Sequence, residues 1–370
     1  MRIVFVAAAA TACTSAEPAC SSFGAWRVAH GKNYASAAAG TAAERTFAAN
    51  CGRYAALNAL PGGARFGADE WSDLSPGAFA ARFGGGLDAA ALARGDAAPP
   101  VAPAPLAMPP SGGGDRNRYV IDWREHGQVT PVKDQGKYGT CWSFGVAQNL
   151  EGLGVRQGHT LANVSEQAFI SCCPACQGAA ATASFSWLVN ASGSRGAPAL
   201  EATYPYAGPV ENCTFASAPK APVRLVSWGR VQVPQPRAID VLHGVLLTPP
   251  PTCPTRVCAF LTPAHASFFA ANEQDDGTGA PIAAALMSSG PMGMGVDATC
   301  FAGYKGGVIR ACDNSKGIDH AVLMVGAGVD AGVKYFTIKN SWGGTWGEGG
   351  YVRIEQGQSW WGNISTVFTQ

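Results

Sequence analysis

Residues 141–158, CWSFGVAQNLEGLGVRQG, carry apolar side chains almost all the way round a helix. Trp142, Phe144, Val146, Ala147, Leu150, Leu153 and Val155 leave no broad polar face. A helix of that kind has to be covered on every side. The chain is thereby restricted to folds that wrap other elements around a central helix. A second helix is expected through VSEQAFISCC, with Ser165 as its N-cap. Toward the C-terminus the pattern changes. HAVLMVGAG is a continuous apolar run and KYFTIKNSW a half-alternating one, with VDAGVK between them as a hairpin loop. A helical half followed by a strand-rich half predicts an α+β protein in two lobes.

A chain of 370 residues with 47% apolar content supports about two units. A net charge of +1 gives no bias toward nucleic acid or an anionic membrane. Residues 1–19 read as a secretory signal peptide: Arg2, an apolar run from Ile3 to Ala12, then small residues. That run is too short to span a bilayer, and no later segment is longer, so no membrane span is expected. An oxidising compartment suits the 12 cysteines. Sequons at Asn163, Asn190, Asn212 and Asn363 fit the same route. Residues 20–83 have helical character. Residues 84–118 are rich in Gly, Ala and Pro and read as a linker open to cleavage. Residues 119–370 carry the pattern of a packed domain.

Of the six histidines, only His320 sits at the mouth of a buried strand, in GIDHAVLMVG. Asn340 ends the next strand, so neighbouring antiparallel strands bring the two side by side. A thiol becomes a good nucleophile only as the thiolate. Cys141 starts the predicted helix, whose N-terminal partial charge favours the anion, and a facing imidazolium favours it further. Asn340 can hold the imidazole in the right tautomer. Gln135 can donate its amide N–H to a developing oxyanion, together with the Cys141 backbone N–H.

These segments resemble the papain family of cysteine proteases, in its cathepsin L-like branch. VIDWREHGQVTPVKDQGKYGTCWSF looks like the mature N-terminus of that family, with Gln135, Cys141 and Trp142 in place. VSEQAFISCC, ATYPYAGPVENC, GIDHAVLMVGAG and IKNSWGGTWGEGGYVRI match later segments in order. The resemblance covers residues 119–370 apart from an insertion at about 231–279. It implies a papain-like two-lobed α+β fold, with a helical left lobe, a β-barrel-like right lobe and the active site in the cleft between them. It also implies an endopeptidase acting on peptides and proteins, with no cofactor, located in a lysosome or vacuole or outside the cell. Residues 20–83 resemble the inhibitory propeptide of the family: Phe47, Asn50, Tyr54 and Asn58 follow its helical spacing, and GADEWSDLSPGAF its short strand motif. The propeptide would be an intramolecular inhibitor, with the linker lying through the cleft. Asp69 and Asp73 lie in the part expected to meet the mature domain. Processing within 84–118 is expected to accelerate below about pH 5, where carboxylates begin to titrate.

By the same resemblance, Ala180, Ala181, Gly295, Ile318 and Ala321 line the pocket for the second residue before the scissile bond (P2). Gly178 offers backbone hydrogen bonds, and Trp342 covers the His–Asn pair. These small apolar residues imply a preference for a bulky apolar side chain. Cys172–Cys213 is the disulfide that the family pattern preserves. Tyr138 stands where relatives have a half-cystine, which leaves Cys176 to pair with Cys173 or elsewhere. Tyr138 either contacts substrate or fills space. Cys312 has lost its usual partner position to Trp361, and Cys300 is the expected replacement. Cys253 and Cys258 are expected to close a loop within the insertion.

Competing readings are weaker. Cys141 as a structural half-cystine would leave an odd count among the nine cysteines beyond Tyr119. CCPAC lacks two well-spaced ligand pairs, so no zinc site is expected. His243 and His265 in the insertion would suit an exopeptidase cap, but the insertion falls later than the capping loop of such relatives. A catalytically weak or exopeptidase-like relative serving as a binding or inhibitory protein is the remaining alternative. Such proteins usually lose the Cys or the His, and both are present.

Overall fold

The structure is a computed structural model that describes residues 20–60, 63–84, 87, 120–178, 181–230, 279–312, 317–358 and 361–368. The signal peptide, most of the linker, nearly all of the insertion with Cys253, Cys258, His243 and His265, and Ala180 lie outside the described residues.

The N-terminal segment is a helical pair followed by an extended stretch. Ser22 and Ser36 cap α1 (Phe23–Ala29) and α2 (Ala37–Asn58), each accepting a backbone N–H three residues on. A Cys20–Cys51 disulfide ties the start of α1 to α2, and Trp26 packs on Phe47 at 4.8 Å between ring centroids. Two asparagines of α2 anchor the extended stretch. Asn50 Nδ2 donates to the carbonyls of Ser72 and Leu74, and Asn58 exchanges two hydrogen bonds with the Phe66 backbone. Strand β1 (Arg65–Phe66) leads to α3 (Pro76–Phe79), which starts at the Ser75 cap with Pro76 in its first turn and loosens into a wider turn at Ala80–Gly84.

In the larger unit, β2 (Ile121–Asp122) precedes α4 (Cys141–Arg156), α5 (Glu166–Cys172), α6 (Ala181–Ser186) and β3 (Ser227–Arg230). Ser165 caps α5 through the Ala168 N–H. α4 is buried from Cys141 to Gly154, as its all-round apolar pattern requires. Trp142, Val146, Leu150, Phe169, Phe185 and Leu188 share one core. The second half consists of α7 (Gly279–Ser289), β4 (Met292–Val296), β5 (Tyr304–Gly306), β6 (Val308–Ile309), β7 (His320–Asp330), β8 (Val333–Lys339), β9 (Tyr351–Glu355) and β10 (Trp361–Phe368). The sheet order is β3-β10-β4-β7-β8-β9-β6, with β2 also paired to β7. Pairing of β7 with β8 runs to Asp330↔Val333. The expected VDAGVK loop therefore shrinks to Ala331 and Gly332, both at positive φ (47° and 84°), as a tight two-residue hairpin turn needs.

The two lobes meet over a polar seam beneath the cleft. Lys339, at the end of β8, donates to Thr130 Oγ1 at 2.9 Å, and Thr130 donates to Glu151 of α4 at 2.5 Å. Lys133 contacts Glu151, Glu166 and Glu201 at 2.8–3.3 Å. The N-terminal segment joins the right-lobe core: Tyr54, Leu57, Phe66, Phe79 and Phe83 are buried with Met294, Phe301 and Trp342. At roughly 1.5–3 kcal/mol per fully buried large side chain, this contact contributes about 8–15 kcal/mol before ordering costs. β1 pairs with β5, and Gly303 (φ 75°) comes so close to Tyr54 that a Cβ there would lie 2.2 Å from its ring.

Candidate active site

Cys141 is the first residue of α4, and it is the free cysteine among the described residues. It is fully buried, and its sulfur accepts the Ala321 backbone N–H at 3.3 Å. Ala321 follows His320 at the start of β7, so this contact draws the thiol against the strand that carries the imidazole. Burial pushes the Cys141 thiol up to about 12; the Ala321 N–H works against that shift, and the Asp319 carboxylate reinforces it.

His320 Nε2 lies 2.8 Å from Asn340 Oδ1. The same oxygen accepts the Ser341 N–H at 2.8 Å, so Asn340 Oδ1 acts as an acceptor and His320 Nε2 carries the proton. Nδ1 is buried and has no hydrogen-bond partner among the described residues. The Trp342 ring stacks on the imidazole at 5.0 Å and 25°. Burial lowers the His320 pKa to about 4, against the Asn340 hydrogen bond. In the closed chain burial therefore works against the thiolate–imidazolium pair expected from the sequence. The residues are aligned, but desolvation disfavours both charges.

Gln135 is also buried. Its N–H donates to the Ser341 carbonyl at 2.8 Å, and its Oε1 accepts from Ser341 Oγ at 2.6 Å. Its Nε2 donates to the Tyr138 carbonyl at 2.9 Å, which leaves a second N–H on that nitrogen. Tyr138 is half-buried, with its ring against Gly208. A Cβ on Gly208 would lie 2.3 Å from that ring.

Cys172 is bonded to Cys213, Cys173 to Cys176 and Cys300 to Cys312. The cysteines of CCPAC thus keep no thiolate for a metal. Of the residues assigned to the P2 pocket, Gly295 and Ala321 are direct partners across β4 and β7, and Ile318 lies just ahead of β7. Ala181 starts α6 and packs on the left-lobe core. Gly178 adopts a φ of 66° in the turn before α6.

Trp342 also receives the N-terminal segment. Trp71, Phe79 and Phe83 pack on it at centroid distances of 5.8, 5.5 and 4.8 Å. Leu87 packs against the left-lobe core instead, so the chain passes from one lobe to the other between residues 83 and 87. Asp69 spans to the larger unit by accepting the Gly303 N–H at 3.1 Å. Asp73 faces inward, bound to Lys32 and Tyr34 of its own segment.

Sequence reasoning missed Ser341, which braces Gln135, and Asp319, raised to about 6 by burial beside His320. Both adjoin residues already singled out, and adjacency was the available signal. It also missed Tyr206, whose hydroxyl bonds the Gln135 carbonyl and Thr140.

Comparison with known proteins gives a consistent picture. A family model described as papain family cysteine protease matches residues 119–369. Cysteine proteinase B of Leishmania mexicana is 34% identical over 302 residues, covering 80% of this chain and 56% of that protein. Cathepsin L of Sarcophaga peregrina is 30% identical over 249 residues, covering 65% of this chain and 59% of that one. The chain spans a little more than half the length of these relatives. The structure of digestive procathepsin L 3 from the Tenebrio molitor larval midgut superposes with a TM-score of 0.66 at 23% identity, covering 94% of this chain and 97% of that one. The fold is the two-lobed α+β fold of that structure.

Proposed function

The chain belongs to the papain family of cysteine proteases, and on that premise we propose that it is a secretory-pathway endopeptidase made as a zymogen. The observation that carries this reading is the alignment across the cleft. A free cysteine at a helix N-terminus takes the N–H of Ala321, and the neighbouring His320 is held by Asn340 beneath Trp342.

In this reading Cys141 Sγ gives its proton to His320 Nδ1 and attacks the peptide carbonyl carbon. The oxyanion takes hydrogen bonds from Gln135 Nε2 and the Cys141 backbone N–H. His320 then protonates the leaving amine, and a thioester to Cys141 remains. His320 next removes a proton from water, which attacks the thioester and releases the acid and the thiol. Asn340 orients the ring throughout. No metal or cofactor takes part.

Residues 20–83 act as an inhibitory propeptide, 84–118 as the linker cut on activation, and 1–19 as the signal peptide. The packing of Trp71, Phe79 and Phe83 on Trp342 supports that role. The destination is a lysosome, a vacuole or the outside of the cell. The P2 pocket assigned to Gly295, Ile318, Ala321 and Ala181 has small, uncharged residues, and favours Leu, Phe or Tyr. Arg is disfavoured because an unpaired charge is costly to bury. The test is to treat processed protein with an epoxide inactivator of thiol proteases and map the adduct. Modification at Cys141 and loss of peptide hydrolysis in Cys141→Ser are expected. Hydrolysis that survives Cys141→Ser refutes the reading. In a fluorogenic dipeptide series, equal rates for Arg and Phe at P2 refute the pocket.

A further inference from the structure

The two donors assigned to the oxyanion hole sit on differently anchored parts of the molecule. Gln135 is tied to the right lobe through both of its Ser341 contacts. The Cys141 N–H belongs to α4 in the left-lobe core. Between them runs the loop Gly136-Lys137-Tyr138-Gly139-Thr140, with Gly136 at a φ of 65°. The half-cystine that braces this loop in the family pattern is Tyr138 here, and Cys176 is bonded to Cys173 instead. The loop therefore needs another tie.

Tyr206 supplies one. Its hydroxyl donates to the Gln135 carbonyl at 2.8 Å. It lies 2.7 Å from Thr140 Oγ1. With its one proton on Gln135, the Tyr206 oxygen accepts from Thr140. One phenol thus joins Gln135, at the head of the loop, to Thr140, its last residue, immediately before Cys141. The loop is closed internally at the Tyr138 carbonyl, which accepts from Gln135 Nε2 at 2.9 Å and from the Thr140 N–H at 2.8 Å. The Tyr206 ring is held edge-on against Phe144 of α4 at 4.9 Å. The hydroxyl is therefore fixed relative to the helix that carries the nucleophile.

We propose that Tyr206 is a positioning residue for the oxyanion hole, its hydroxyl setting the distance between the Gln135 amide and the Cys141 N–H in a loop that lacks the family's disulfide. The inference rests on the reading of Cys141 as nucleophile and Gln135 as oxyanion donor. Tyr206 touches neither substrate nor sulfur and acts through the loop.

The test is Tyr206→Phe, which keeps the ring on Phe144 and removes the hydroxyl, in processed enzyme. Misplacing a reacting group by an ångström costs ~10²-fold, and losing a donor outright costs ~10²–10³ in kcat. For a loosened donor a fall in kcat of roughly tenfold is expected, with KM within about twofold. Affinity for a peptide aldehyde, whose hemithioacetal uses the same hole, falls in parallel. Alkylation of Cys141 by iodoacetamide, which needs no oxyanion hole, keeps its rate. In a Gln135→Ala background Tyr206→Phe costs much less, because the donor it places is gone. Thr140→Val, which cuts the other end of the tie, repeats the pattern. An unchanged kcat, additive losses with Gln135→Ala, or alkylation slowing in step with kcat overturns the proposal. Absence of Cys141-dependent hydrolysis in the parent enzyme overturns the underlying reading as well. A parent that hydrolyses normally beside an unaffected Tyr206→Phe overturns this inference alone.

Discussion

Removing residues 20–118 should change the chemistry of Cys141 as well as access to it. In the closed chain burial holds the thiol at about 12. At pH 7 the thiolate fraction is then 10^(7−12), or ~10⁻⁵. A cysteine at a helix N-terminus beside an imidazolium falls to ~3.5–7.5 once it is hydrated and paired. Settling at ~7 makes about half of it thiolate, a gain of nearly five decades. Intrinsic nucleophilicity falls with pKa at a slope of ~0.4–0.5, which removes ~2–2.5 of those decades and leaves a net rise of ~10²–10³. Settling at ~4 leaves a smaller net rise, ~10–10². Steric access adds to either figure. The assay is pulse alkylation with iodoacetamide at pH 7, before and after processing, with the adduct on Cys141 read by mass spectrometry. Rates that agree within roughly threefold would show that neither burial nor the segment suppresses the thiolate, against the ~10-fold minimum.

Acid should favour opening through His320. Its pKa is lowered to about 4 in the closed state, whereas a hydrated imidazole titrates near ~6.5. Where the opened Cys141 is still a thiol, the open form binds one proton more than the closed one, and opening gains about 1.4 kcal/mol for each pH unit between ~6.5 and ~4, roughly 3 kcal/mol in all. Where the thiol has passed its proton to the imidazole, the two forms bind equal numbers and the gain vanishes. Self-processing is expected to speed up as pH falls through that window, and a flat rate between pH 7 and 4.5 would count against it. Lys133→Met should destabilise the protein by about 3–5 kcal/mol, because it strands Glu151 and Glu166 at 1% and 0% side-chain exposure. A denaturant midpoint that does not move would remove the seam from the stability argument.

Legibility in the sequence was a matter of range. The α4 helix is apolar on all sides over consecutive residues, and His320 and Asn340 flank two recognisable strands, so local pattern found them. The hydrogen bond from Ser341 to Gln135 joins residues 206 positions apart, and no periodicity encodes it. Burial of the site is long-range too: a helix N-terminus and a facing imidazole, both readable locally, favour the thiolate, whereas desolvation of Cys141 and His320 works against it. Asp73 lies in the part expected to meet the larger unit, yet its own hydrogen bonds stay within the N-terminal segment. Its partners Lys32 and Tyr34 lie about 40 residues upstream.

The disulfides divide between global and local work. Cys172–Cys213 spans 41 residues, Cys300–Cys312 12 and Cys173–Cys176 3. In the chain-entropy account these are worth about 3.9, 2.8 and 1.6 kcal/mol. The 300–312 bond matters more for where it lies. Its loop presents the Ala302 carbonyl that accepts from Arg53, and Gly303, which bonds Gly67 and Asp69 through its carbonyl and N–H. It also carries β5, the partner of β1. The bond therefore fixes the surface on which the N-terminal segment docks. Cys300→Ser with Cys312→Ser should lower Tm by about 5 °C. In the uncleaved chain it should also raise Cys141 alkylation, because the segment opens more often. The processed double variant should keep its kcat/KM, since the loop approaches the site through the edge-on packing of Phe301 on Trp342, 6.1 Å between ring centroids, rather than at the reacting groups. An uncleaved double variant whose Cys141 is alkylated no faster than the parent would show that the loop holds its shape without the bond.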